Sequence, residues 1–207
     1  IKALHDRGMP IVLFDRVHEE IDTHQVIIDN YRGAYDATDH LIKNGFKRIA
    51  AIAGSEFLSI TSERLAGYHD ALKAHNLSYS KEYVQHCFYG GMVFSEVEEA
   101  VNKLLTLKQK PDALITTSDK LTTGCLKTLK RRGIVIPNDI ALIGFSNSDI
   151  AELVDPPLTV IRQPAEEMGR AATELLLQLV ESKRPVKDFE KRVLTPELQI
   201  RGSAIKL

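Results

Sequence analysis

The 207 residues are 43% hydrophobic and carry a formal net charge of −1, a composition that suits one large or two small globular cores. The longest apolar runs are a few residues, too short for a membrane helix, and no basic, apolar leader opens the chain. Lys and Arg are spread through the sequence, so no dominant basic face for a polyanion is expected. Cys87 and Cys125 have no metal-ligand spacing with each other or with a His, and two cysteines make no disulfide framework, which fits a reducing cytoplasm.

Residues 1–8 read as the end of a helix stopped by Gly8, feeding a strand at 11–14 closed by Asp15 and Arg16. A chain that opens this way is expected to be a fragment beginning inside a domain. Val26, Ile27 and Ile28 form a second strand, followed by a helix over about 33–43 with Ala37, Leu41 and Ile42 on one side and an Asn44-Gly45 stop. In that helix Asp36 and His40 are expected to form a solvated surface pair. Residues 48–53 form the next buried strand. Thr61 or Ser62 is the candidate cap of a helix running to about His75, with Leu65, Tyr68, Ala71 and Leu72 as its buried stripe. Arg64 falls in the first turn of that helix, where the macrodipole disfavours a cation; a specific partner and simple extension to solvent are both open readings.

Residues 83–89 read as a strand and Gly90-Gly91 as a turn. Ser95 with Glu98 has the capping-box spacing for a helix burying Val97, Val101, Leu104 and Leu105. A strand at 113–117 leads to Ser118-Asp119, and the helix over about 121–132 ends in basic residues and Gly133, which suits the negative end of its dipole. The stretch 134–164 organises the rest. Ile140 to Ile143 is a short continuous apolar run, as in a parallel strand covered on both faces, and Ser146, Asn147, Ser148 and Asp149 follow its carboxyl end. Residues 166–181 repeat apolar positions at Met168, Ala171, Ala172, Leu175, Leu176, Leu179 and Val180, a stripe wide enough for the core and a partner together. Residues 193–201 read as one last strand. Strand and helix alternate at the rhythm of βαβ units.

No glycine-rich phosphate loop, dinucleotide fingerprint, nucleophile elbow or zinc-protease motif occurs, so an enzyme has little support. What recurs is polar side chains at strand carboxyl ends: Asp15, Ser55, Ser118-Asp119 and Ser146-Asn147. In parallel sheets such groups converge on a crevice, and carboxylates, short hydroxyls and one Arg suit a polyhydroxylated ligand.

Seven segments, GMPIVLFDR, VIIDNYRGAYDATDHLIKNGFKRIAAIAG, SERLAGYHDAL, PDALITTSDKLTTG, IPNDIALIGFSN, PPLTVIRQPAEEMGRAA and LTPELQIRGS, resemble the effector-binding core of the LacI/GalR family of bacterial transcription regulators, in that family's order across nearly the whole chain. The resemblance implies a type I periplasmic-binding-protein-like α/β fold, with two parallel-sheet lobes joined by three crossovers and effector held between them. It implies a partial first lobe at residues 1–30 and 160–188 and a second at 31–159 and 189–207. The amino-terminal helix-turn-helix head is absent from this chain. Carried over residue by residue, Asp15 matches an acidic effector contact, Arg64 the arginine that clamps hydroxyls or a carboxylate, and Ser118-Asp119 the polar pair after the PDA strand. Leu58 and Ile60 lie in the loop over the site, and Met92 stands where many sugar binders stack an aromatic ring. Ser146, beside Asn147, stands where the family usually has Asp, which weakens a simple-hexose assignment. The thioether of Met92 points the same way. A sugar acid, a modified sugar or a non-sugar metabolite is open.

The resemblance therefore implies a regulator core rather than an enzyme, with no cofactor and no metal. Its partners are a small-molecule effector, a second copy through Met168, Leu175 and Leu179, and operator DNA through the absent head. A periplasmic sugar-binding protein of the same fold is the alternative, separable by whether a secretion signal or a helix-turn-helix precedes residue 1.

Overall fold

The computed structural model describes residues 1–18, 20–182, 186 and 188–206. In chain order its elements are α1 (Lys2–His5), β1 (Leu13–Phe14), β2 (Gln25–Ile28), α2 (Asn30–Lys43), β3 (Ile49–Ala53), α3 (Ser59–Ala74), β4 (Val84–His86) and α4 (Phe94–Thr106). There follow β5 (Ala113–Thr116), α5 (Asp119–Arg131), β6 (Ala141–Phe145), α6 (Ile150–Leu153), β7 (Thr159–Arg162), α7 (Ala165–Glu181), β8 (Lys191–Leu194) and β9 (Glu197–Gln199). Two compact units result: residues 1–29 with 164–196, and residues 30–163 with 197–207.

The first unit holds a three-stranded parallel sheet in the order β1-β2-β8. Helix α7 packs on it through Met168, Ala171 and Leu175, which are buried in this unit's own core. That removes Met168 and Leu175 as direct dimer contacts. The i, i+3, i+7 stripe is the core stripe, and the residues it leaves outside are Leu176, Leu177 and Val180. Leu179 is half-buried and lines a cleft of about 370 Å³ with His5, Met9, Thr23 and Phe189.

The second unit holds a six-stranded sheet, β4-β3-β5-β6-β7-β9, parallel except for the edge strand β9. Every residue of β3, β5 and β6 is buried, because helices cover both faces and leave no side for alternation. Helices α4 and α5 bury Val97, Val101, Leu104, Leu121, Cys125 and Leu129 with Leu114 and Leu142. Helices α2 and α3 approach so closely that a Cβ on Gly67 would lie 2.1 Å from the Tyr31 carbonyl oxygen; only glycine fits there.

Several expected boundaries differ. The single strand expected at 193–201 is two strands in two sheets, because Pro196 between them has no N–H to carry the ladder on. Residues 189–196 accordingly lie with the first unit, and 160–163 with the second through β7. The strand expected at 83–89 shrinks to β4, preceded by a 3-10 turn at Lys81–Tyr83. The capping box does not form: α4 starts at Phe94, Ser95 is already helical, and Glu96 instead accepts from the Tyr89 N–H at 3.1 Å. Nor is His40 a solvated partner of Asp36. Its Nε2 lies 3.1 Å from the Ala204 carbonyl, while Asp36 pairs with Arg32.

Candidate ligand-binding site

The second unit's parallel strands end side by side, and the chain turns there into helices through short polar segments. Beyond β3, the Gly54 N–H donates to the Thr117 hydroxyl at 3.1 Å, which ties the ends of β3 and β5 together. Ser118 caps α5. Its hydroxyl accepts from the Leu121 N–H at 3.3 Å and donates to the Gly90 carbonyl at 3.1 Å, so this side chain is spent on fastening the loop after β4 to the helix start. Asp119 opens α5, where the dipole favours a carboxylate. It accepts a short hydrogen bond from the Ser146 hydroxyl, which in turn accepts from the Ser148 N–H at 3.1 Å.

Arg64 does not extend to solvent. Helix α3 starts at Ser59, earlier than its sequence signals indicate, so Arg64 stands in the second turn and the dipole opposes it less. The side chain is only 4% exposed. Its Nε donates to Asn30 Oδ1 at 2.8 Å and its Nη1 to the Thr117 carbonyl at 2.5 Å, while its guanidinium carbon sits 3.6 Å from the centroid of the Phe145 ring. Asn30 uses its other end as well, donating from Nδ2 to Glu63 at 2.7 Å. A buried charge held by two acceptors and an aromatic face is fixed in orientation before any ligand arrives.

Thus Arg64, Ser118, Asp119, Ser146 and Asn147 are gathered at one end of one sheet. Their uses differ. Asn147 is exposed, but its amide makes a reciprocal pair with Gln163, accepting from its N–H at 2.9 Å and donating to its carbonyl at 2.7 Å, which clips the ends of β6 and β7. Leu58 and Ile60 are half-buried at the start of α3, and Met92 is 74% exposed in the loop after β4. Asp15 belongs to the first unit, where it ends β1 with φ of 61° and donates its N–H to the Val26 carbonyl at 3.0 Å.

Sequence reasoning missed Asn30, the anchor of Arg64, and the exposed rings Phe57, Phe88 and Tyr89 in the loops after β3 and β4. The last two meet edge to face at 5.2 Å. Two adjacent aromatics just before Gly90-Gly91, in a loop that no core needs, were the available signal. Below the site, Thr116 and Thr122 hydroxyls lie 2.7 Å apart across Gly144. The cysteines are remote from this chemistry: burial pushes the Cys87 thiol up to about 11 and raises that of Cys125 well above its ordinary value. Among the described residues, no group of three or more His, Cys, Asp or Glu is placed to hold a metal ion.

Residues 38–204 match the family model described as a periplasmic binding protein-like domain. The chain is 37% identical over 194 residues to the HTH-type transcriptional repressor CytR of Escherichia coli (strain K12), an alignment covering 94% of this chain and 55% of that protein. It is 31% identical over 201 residues to the HTH-type transcriptional repressor PurR of Aliivibrio salmonicida (strain LFI1238), covering 96% and 58%. Among solved structures, a transcriptional regulator CelR–cellobiose complex superposes with a TM-score of 0.86 at 33% identity, covering 97% of this chain and 60% of that one. A LacI family transcriptional regulator from Enterococcus faecium with bound ribose gives 0.87 at 26% identity, covering 100% and 74%. The chain spans little more than half the length of these curated relatives.

Proposed function

This chain belongs to the LacI family of transcriptional regulators, as a periplasmic-binding-protein-like portion of such a protein, and on that premise we propose that it binds a small-molecule effector, a sugar or sugar derivative. The observation that carries the reading is the fixed Arg64 guanidinium on the same sheet end as the Asp119–Ser146 pair. A donor cation and an acceptor anion, both pre-positioned, match a ligand whose hydroxyls donate and accept in turn. The relatives with cellobiose and ribose bound support this ligand class. Ser146 and Met92 argue against a plain hexose, and Phe57, Phe88 and Tyr89 supply aromatic faces for a substituent in the loops where Met92 supplies none.

In this reading effector binding shifts the population of lobe arrangements, and operator DNA is engaged through a head outside this chain. The protein works in the cytoplasm as a homodimer. Leu58, Ile60 and Met92 are loop contacts, and Ser118 and Asn147 hold the site's backbone in place.

A thermal-shift panel of sugars, sugar acids, sugar phosphates and nucleobases tests this. A ligand at about 100 times its Kd adds ~2.7 kcal/mol of stability. The control is Asp119→Asn, which keeps the acceptor for Ser146 and removes the charge. The expected result is a hit that shrinks in the control. A hit of equal size in Asp119→Asn would move the site elsewhere, and a panel without hits would remove the sugar-derivative assignment.

A further inference from the structure

The surface helices of this protein balance their own charges. Arg32 pairs with Asp36 and Lys43 with Asp39 on α2, Lys103 with Glu99 on α4, and Arg170 with Glu166 on α7, all at i, i+4 spacing. Helix α5 does the opposite. Lys120, Lys127, Lys130, Arg131 and Arg132 are all exposed, and Asp119, the one acid of the helix, is turned to Ser146. Among the described residues none of these five cations makes an ion pair, although the chain as a whole carries a net charge of −1.

Four of the five share one side of the helix, and Arg132 follows its last residue as the C-cap. At 100° per residue Lys120, Lys127 and Arg131 fall on one line, with Lys130 beside it, and the row is roughly 16 Å long at 1.5 Å per residue. Like charges at i, i+4, such as Lys127 and Arg131, oppose helix formation. Here both are held over one half-buried ring: Lys127 Nζ lies 4.3 Å and the Arg131 guanidinium 5.3 Å from the centroid of Phe94. The helix dipole accounts for cations in the last turn, but not for Lys127 in the middle or Lys120 in the first turn.

We propose that the exposed face of α5, with Phe94, is a docking surface for an acidic helical segment of a partner protein. Charge complementarity names the occupant. A straight, convex row of cations about 16 Å long matches glutamates or aspartates at i, i+3, i+4 and i+7 on another helix. Phe94 adds a contact for an apolar side chain. Nucleic acid fits less well, because a net charge of −1 gives no long-range attraction and three of the five cations are lysines, which lack the bidentate fork for phosphate. The surface shares no cation with the ligand site, so it stands whatever the effector is.

The test is fluorescence anisotropy with two labelled probes, a helical peptide carrying glutamates at that spacing and a short DNA duplex. The peptide should bind saturably at low salt and weaken as ionic strength rises. Lys127→Gln/Arg131→Gln should weaken it about tenfold, two exposed pairs being lost, while the melting curve falls only by the loss of two exposed contacts with the Phe94 ring. A peptide with Lys in place of Glu should not bind. Absence of saturable peptide binding, or equal binding by the double variant, overturns the proposal. Binding of the duplex alone, lost in the double variant, overturns it in favour of nucleic acid.

Discussion

At the residue scale the site depends on the side chain that anchors Arg64. Asn30 is the first residue of the second unit, and its buried amide bridges Glu63 and Arg64. A methyl in its place leaves Arg64 Nε–H without this acceptor in a site that is largely closed to water. Truncating one partner of a buried polar bond costs ~1–3 kcal/mol, more than the bond is worth when both partners are present. Asn30→Ala should therefore lower the unfolding free energy by ~1–3 kcal/mol, read as a lower urea midpoint with an unchanged denaturant slope. It should also weaken any ligand that Arg64 clamps. A midpoint equal to that of the parent would mean that Asn30 does not hold Arg64. The position of Asn30 in sequence, beside a strand end, reads only as a turn or a helix start. Nothing in spacing announces that its partner lies 34 residues on.

At the scale of elements, what could be read beforehand was whatever hydrophobic pattern alone determines. The unbroken apolar runs of β3, β5 and β6 mark strands covered on both faces, and they carry the polar groups of the site to one end of the sheet. What could not be read depends on tertiary partners. Ser95 and Glu98 have capping-box spacing, yet the Tyr89 N–H claims the neighbouring Glu96 and the helix starts a residue early. The run 193–201 looks continuous until each half is seen in its own sheet. Helix α7 shows the same limit, since its apolar stripe was wide enough for two faces but did not say which residues served which. Burial now separates them. Leu175→Ala opens a cavity in the first unit's core and should cost ~2–5 kcal/mol in chemical denaturation. Leu177→Asp, on the outer side, should leave the melting curve within about 0.5 kcal/mol of the parent. If α7 carries the dimer contact, this variant should raise the monomer fraction in sedimentation velocity. A dimer indifferent to Leu177→Asp would place the contact on another surface.

At the scale of the whole molecule, the second unit has an acid-sensitive seam where α2 meets the carboxy-terminal segment. His40 is half-buried on α2. Burial holds its pKa below the ordinary imidazole value, and this outweighs the Ala204 carbonyl and the Asp39 charge, which both act to raise it. The folded state thus takes up the proton less readily than the unfolded chain. Stability is complete above the unfolded value of about 6.5 and declines as pH falls below it. Asp39 adds a second, lower step. Burial acts to raise its pKa, but the hydrogen bonds from Lys43 and His75 together with their charges more than offset this, and the net shift is downward. A depressed carboxylate contributes stability above its unfolded value of about 4, and that contribution is lost as pH falls through the lower folded value. Two windows follow. Between about pH 6.5 and 5 the melting temperature should fall in the parent and fall less in His40→Gln, whose amide can still donate to Ala204. Below about pH 4 both should fall together, and Asp39→Asn should flatten that limb while steepening the upper one, because the Asp39 charge that partly offsets the depression of His40 is gone. Parallel curves for the parent and His40→Gln across the upper window would show that protonation of this histidine is not what the seam resists.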